Sequence, residues 1–268
     1  MKKIITALVT ATLLILSSAY AGTLEEANKA YATGNYAEAT KQYELAAEQG
    51  DAKAQIMLGV MYAIGQGVVQ DYAKAFYWHK LAAEQGDANA QYLLGYLFYS
   101  GHGVVQDYAK AFKWEKLAAE QGDAKAQNML GYMFDNGQGV IKDYSEAFKW
   151  YKLAAEQGDA KAQAKLGVMF TAGEGVVQDY AKAFKWYKLA AEQGDAKMQA
   201  LLGLMYDKGQ GILQDYVMAH MWLNLAAAQG YKDAQKLRAL EEKSMTPQQI
   251  AEAQKLAREC LARKYKGC

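Results

Sequence analysis

The chain has 268 residues, 30 basic against 29 acidic side chains, and one proline beside 24 glycines, 20 tyrosines and five tryptophans. Ordinary usage would give roughly 13 prolines, so a fold of many short strands joined by proline-bearing turns is disfavoured. Aromatic content of 12% argues against disorder, and a near-neutral charge against a protein devoted to nucleic acid, whose phosphates call for a basic surface.

Lys2 and Lys3 open the chain, followed by an apolar run from Ile4 to Leu16 broken only by threonines and alanine. Ser17, Ser18 and Ala19-Tyr20-Ala21 come next. This is the order of a secretory signal, with cleavage expected between Ala21 and Gly22. The run is too short for a membrane span, which needs about 20 residues. The alternative is an uncleaved anchor. Residue 22 is Gly rather than Cys, so a lipid anchor is not indicated. The expected product is soluble and exported, periplasmic or secreted, with no integral membrane segment after cleavage.

Residues 22–50 predict a short helical hairpin. Ala27, Ala30 and Tyr31 begin it, Thr33-Gly34-Asn35 turns it, and Tyr36, Ala39, Tyr43 and Ala46 complete it. From Asp51 to Gly230 the sequence repeats every 36 residues. Gly-Asp-Ala-x-x-Gln begins at Gly50, Gly86, Gly122, Gly158 and Gly194, with a degenerate copy at Gly230. Trp78, Trp114, Trp150, Trp186 and Trp222 keep the same step, as do the Asp-Tyr pairs from Asp71 to Asp215. Self-similarity at this period marks a repeat architecture.

Each unit predicts two helices. Asp51 suits an N-cap, and Ala54, Leu58, Met61 and Tyr62 recur at helical spacing. Gly65-Gln66-Gly67 stops that helix, Asp71 caps the next, and Ala75, Trp78, Leu81 and Ala82 form its apolar stripe. Such a pair cannot bury both faces alone, but stacked copies share a continuous core. Gly59, Gly95, Gly131, Gly167 and Gly203 lie inside the first helices and predict close approach of a neighbouring helix or ring. The tryptophans are expected in the core, with a stacking platform as the alternative.

The pattern Ala54-x-x-x-Leu58-Gly59-x-x-Tyr62, Gly65-x-Gly67-Val68, Asp71-Tyr72-x-x-Ala75, Trp78 and Leu81-Ala82-Ala83-x-Gln85-Gly86 resembles the Sel-one-like repeat, a 36-residue relative of the tetratricopeptide repeat. The resemblance covers 51–230 as five full units. It implies an all-α fold, a right-handed α-solenoid of antiparallel helix pairs, used as a protein-interaction scaffold and often exported from bacteria. Residues 22–50 are closer to a plain tetratricopeptide unit and would cover the N-terminal face.

Residues 231–268 predict a C-terminal cap. Tyr231 to Lys243 continues as a first helix, and Thr246-Pro247-Gln248-Gln249 reads as a capping box opening a helix to about Arg263. Val217, Met218, Met221 and Leu223 are apolar, Met218 and Met221 where other units mostly place Lys or Glu, so the fifth unit's second helix is expected to be covered. Cys260 and Cys268 are the only cysteines, and in an exported protein they suggest a disulfide. Continuous helix would hold their Cα atoms about 12 Å apart, so the chain must leave the helix between them. Two unpaired thiols or an intermolecular bridge are the alternatives.

No constellation for catalysis stands out. His79, His102 and His220 occupy non-equivalent repeat positions without ligand spacing, and Ser100, Ser145 and Ser244 lie in no nucleophile motif. No catalytic residue, metal or cofactor is expected. Cysteine-rich members of the resembled family have been classed as β-lactamase or penicillin-binding proteins, but the repeat cysteines are missing here. That enzymatic reading and a purely structural assembly role are the alternatives.

Comparison of the five copies points to a surface instead. Within the first helix the sets Ile56/Tyr92/Asn128/Ala164/Ala200, Val60/Tyr96/Tyr132/Val168/Leu204, Ala63/Tyr99/Asp135/Thr171/Asp207 and Ile64/Ser100/Asn136/Ala172/Lys208 vary, at i, i+4, i+7 and i+8. In the tetratricopeptide architecture this face lines the concave groove. Tyr92, Tyr96, Tyr99, Asn128, Tyr132 and Asp135 are therefore the candidate residues for a protein or peptide partner of a monomeric scaffold. Tyrosine suits such a role, with its large apolar area and polar tip. Drift at unconstrained exposed positions is the competing reading.

Overall fold

The computed structural model describes residues 23–268; the Ala21–Gly22 cleavage point and the leader lie outside the described residues. All regular elements among the described residues are helices. A helix over 23–32 (α1) and α2 (Tyr36–Glu48) come first. The first helices of the five units are α3 (Ala52–Ile64), α5 (Ala88–Ser100), α7 (Ala124–Asn136), α9 (Ala160–Ala172) and α11 (Ala196–Lys208). Their second helices are α4 (Tyr72–Glu84), α6 (Tyr108–Glu120), α8 (Tyr144–Glu156), α10 (Tyr180–Ala191) and α12 (Tyr216–Ala228). The chain closes with α13 (Lys232–Glu241) and α14 (Pro247–Ala262). It forms two compact units, one up to residue 126 and one from 127.

The caps follow the sequence. The Asp51 carboxylate accepts from the Ala54 amide at 2.7 Å, and Asp71 from Ala73 and Lys74. Each such cap stabilises its helix by about 1 kcal/mol. Tyr231 replaces the aspartate in the degenerate copy, and α13 has no side-chain cap. The Thr246–Gln249 capping box is present. In Gly-x-Gly the first glycine ends the first helix in the left-handed region, as at Gly101, φ 73°. The second presses on the tyrosine that opens the second helix one repeat earlier, Gly103 on Tyr72 and Gly211 on Tyr180.

The helical glycines do a different job. Each faces the residue 20 positions on, in the second helix of its own unit: Gly59 meets His79, Gly95 Glu115, Gly131 Tyr151, Gly167 Tyr187 and Gly203 Leu223. A Cβ at Gly131 would stand 2.8 Å from the Tyr151 ring. The glycine costs about 1 kcal/mol of helix propensity, and in return a large side chain packs against bare backbone.

The glutamines of Gly-Asp-Ala-x-x-Gln are buried and tie neighbouring helices together, a role the motif's recurrence alone does not reveal. Gln55 donates to the Ala47 carbonyl of α2 at 3.0 Å and accepts from Gln85 at the end of α4 at 2.8 Å. Gln199 likewise donates to Ala191 of α10 at 3.1 Å and accepts from Gln229 at 2.8 Å. Each amide thus joins one repeat to the one before it. Replacing Gln199 with Met keeps the volume and removes both bonds of the buried amide, the one it donates to the Ala191 carbonyl and the one it accepts from Gln229. A loss of about 1.5 kcal/mol is expected, or a melting temperature lower by about 4 °C in circular dichroism; an unchanged melt would mean that the ladder contributes no stability.

The end of the second compact unit is the best covered. Met221, Trp222 and Leu223 are buried in α12, and Trp222 shares a core with Met245, Ala253, Ala257 and Cys260. Here the expectation for the tryptophans needs correction. Only Trp222 is fully buried; Trp78, Trp114, Trp150 and Trp186 keep an open edge, because no additional helix of the α14 kind covers them. After α14 the chain turns through Lys264 (φ 52°) and Tyr265 (φ 67°). The turn brings the Cα atoms of Cys260 and Cys268 to 5.7 Å, and the two sulfurs are bonded.

Candidate functional site

The variable positions of the first helices are not uniformly exposed, contrary to the reading of them as unconstrained surface. Ile56 and Ala200 are buried, and Tyr92, Tyr99, Asn128, Tyr132 and Asp135 are half-buried. Tyr96 alone among the candidate residues is open, at 45% exposure. In the first compact unit Tyr92, Tyr96 and Tyr99 rise along α5, with Lys125 5.9 Å from the Tyr92 ring and Tyr108 5.3 Å from that of Tyr99. In the second unit Tyr132 and Asp135 are brought together around Lys165, which pairs with Asp135 at 3.0 Å and lies 5.9 Å from the Tyr132 and Tyr151 rings. Asn128 sits on the same helix, α7.

A cleft of about 290 Å³ opens on this face in the first unit. Val60, Ala63 and Ile64 of α3 form one wall, and Leu93, Tyr96 and Leu97 of α5 the other. Tyr72 and His102, stacked at 4.7 Å, stand at the cleft with His79 of α4. A cleft of about 210 Å³ in the second unit is lined by Leu204, Asp207, Tyr216, Leu237, Leu240, Glu241 and Ser244. Its lining occupies the same repeat positions four units on: Val60 becomes Leu204, Ala63 Asp207, Tyr72 Tyr216, Tyr96 Leu240 and Leu97 Glu241. One framework therefore presents two chemistries, aliphatic with imidazole in the first cleft, aliphatic with carboxyl groups in the second.

Electrostatics sharpen that contrast. Burial lowers the His79 pKa to about 4, so the ring is neutral at pH 7. Glu241 is pushed up to about 8, first by burial and then by the charge of Asp207, and its carboxyl oxygens are buried without a hydrogen bond. Glu115 is 0% exposed and has no partner for either oxygen; burial, then Asp123, holds its pKa well above the carboxylate range.

These buried groups were missed as functional candidates. The signal was available: His79, Glu115, Tyr151, Tyr187 and Leu223 share one repeat position, and their chemistry changes at every copy but one. This position varies together with the first-helix position 16 residues earlier. Tyr187 shares a 3.2 Å hydrogen bond with Thr171, and Asp135 helps raise the Tyr151 pKa after burial. No group of three or more His, Cys, Asp or Glu among the described residues is placed to hold a metal ion. No helix among them is long and apolar enough to cross a membrane.

Comparison with known proteins adds the family. A model of the Sel1 repeat matches residues 30–51, 52–87, 88–123, 124–159, 160–195 and 196–231. The first match takes in part of the hairpin read above as closer to a tetratricopeptide unit. A protective antigen of uropathogenic Escherichia coli with an SLR fold is 35% identical at a TM-score of 0.82, over 96% of this chain. The chain spans 56% of the length of that protein. A Sel1 repeat protein from Oxalobacter formigenes is 36% identical at a TM-score of 0.75, over 88% of this chain and 99% of its own. No curated protein matches.

Proposed function

Because the chain belongs to the Sel1 repeat family, whose helical scaffold is typical of protein–protein interaction, we propose that it is an exported, non-catalytic scaffold that binds a protein or peptide through the variable face of its first helices. One observation carries this reading: the helix caps and the glutamine ladder recur, while the polar groups set into the aliphatic lining of equivalent clefts change from imidazole to carboxyl. A surface under no demand has no reason to keep a cleft while altering its chemistry. Tyr92, Tyr96, Tyr99, Asn128, Tyr132 and Asp135 belong to that face, and their aromatic area suits a binding hot spot. Fold alone does not name a ligand, so the reading rests on these positions.

Export is supported by the basic, apolar and small-residue order of residues 2–21. The similarity to a protein described as a protective antigen is in keeping with that address. Amino-terminal sequencing of protein recovered from periplasm or medium should begin at Gly22; recovery only from cytosol with Met1 intact would refute export.

Binding is tested by changing Tyr92, Tyr96 and Tyr99 together to Ala. A partner captured from periplasmic extract should then bind at least about tenfold more weakly, since hot-spot tyrosines each contribute about 1–2 kcal/mol. Equal binding by the folded variant would remove these three residues from the function.

A further inference from the structure

We propose that the cleft between α3 and α5 receives the side chain of a tyrosine from a partner polypeptide, its hydroxyl exchanging a hydrogen bond with the His79 imidazole. The assignment rests on the binding face described above and names the chemistry of one of its clefts.

Size comes first. At about 290 Å³ the cleft lies at the lower end of small-ligand sites, which suits one side chain rather than a cofactor. Its walls are aliphatic, and Tyr96 with the Tyr72–His102 stack offers aromatic surface for a ring. Charge comes second. No lysine, arginine, aspartate or glutamate lines it, and the buried His79 imidazole is neutral at pH 7, so a charge desolvated against His79 finds no compensation there. The acidic cleft of the second unit makes the contrast.

Hydrogen bonding decides the rest. His79 is 2% exposed, and its Nδ1 is buried with no partner. Two repeats that bear tyrosine at this place set a polar residue opposite, Thr171 at 3.2 Å from the Tyr187 hydroxyl and Asp135 near Tyr151. In the first repeat the opposing residue is Ala63, whose methyl group can offer nothing. The hydrogen-bonding counterpart that Thr171 gives Tyr187 in the fourth repeat is left for a guest. A phenol hydroxyl both donates and accepts, so it serves either tautomer of the ring, whereas an indole N–H only donates.

Nuclear magnetic resonance titration of the purified protein with p-cresol and toluene tests this, read at the methyl groups of Val60, Ile64 and Leu97. The expected result is p-cresol binding about fivefold more tightly than toluene, the worth of one net hydrogen bond. His79→Leu should erase the preference, and leucine is what stands opposite the equivalent glycine at Leu223. Ala63→Thr should erase it as well by giving the imidazole an internal partner, and it serves alone if His79→Leu does not fold. Equal affinities in the parent protein, no shift at the cleft methyls, or a preference that survives in a folded variant would overturn the assignment. A protein that ignores p-cresol yet loses its partner on changing Tyr92, Tyr96 and Tyr99 would keep the scaffold function and lose only this cleft chemistry.

Discussion

Gly103→Ala is expected to destabilise the protein by at least about 4 kcal/mol, whereas Gly86→Ala, with a more positive φ, should cost only about 1–2 kcal/mol. Both residues are left-handed, at φ 72° and 94°. Any Cβ pays for that conformation, and at Gly86 it pays nothing more, since no atom lies within 4 Å of where it would stand. At Gly103 the Cβ would overlap the Tyr72 carbonyl and approach the Ala73 nitrogen. Those are backbone atoms at the start of α4, held by the Asp71 cap, and they cannot swing aside as a side-chain tip would. Denaturant midpoints for the two variants check the difference. Equal losses would show that conformation alone, and not the approach of one repeat to the next, selects the second glycine of Gly-x-Gly.

Glu115→Leu should act in the opposite direction, stabilising the protein by about 2–3 kcal/mol at pH 7. Glu115 is fully buried against Gly95, and neither oxygen has a partner. Its folded-state pKa lies well above the ordinary 4.5, by burial first and Asp123 second. The folded state therefore retains a proton that the unfolded chain releases above pH 4.5, and stability falls as pH rises from there. Leucine removes that loss, and Leu223 occupies the equivalent place in the fifth repeat. His79 works the other way: with its pKa near 4 it stays neutral while the unfolded chain takes up a proton below about 6.5, so stability falls as pH drops through that window. Removing the Glu115 contribution should thus move the pH of greatest stability upward. Melting curves between pH 5 and pH 8 should show the variant about 8 °C above the parent at pH 7, with a flatter alkaline side. Identical melts would mean that Glu115 is solvated or paired in solution.

The repeat was legible because its constraints are local. Asp51, Asp71 and Gly65 act within a few residues of themselves, so their spacing alone announced helix starts and stops. The glycines at 59, 95, 131, 167 and 203 announced a close neighbour as well. What they could not announce was which neighbour, since the facing residue is His, Glu, Tyr, Tyr and Leu in turn. A search for identity along the period passes over a position that changes at almost every copy, although it lies in the core. The same reasoning explains the tryptophans: equal spacing implies equal local geometry, but burial depends on what packs outside, and Trp222 is fully buried in a core with residues of α14 while Trp186 packs against that core only in part. The tyrosines of the candidate face were found by their variability, yet variability did not distinguish the open Tyr96 from the half-buried Tyr92, Tyr99 and Tyr132.

The glutamine ladder sets a rule for how this molecule can change size. Gln55, Gln91, Gln163 and Gln199 each reach a carbonyl eight residues back, in the preceding repeat, and each accepts from a glutamine 30 residues ahead. Loss or duplication of a whole number of 36-residue units returns every amide to an identical partner, while a length that is not a multiple of 36 within the ladder leaves a buried amide facing the wrong group. Recombination between copies can therefore shorten or lengthen the chain only in whole cassettes, and each cassette added brings one more first-helix face whose variable positions are free to diverge.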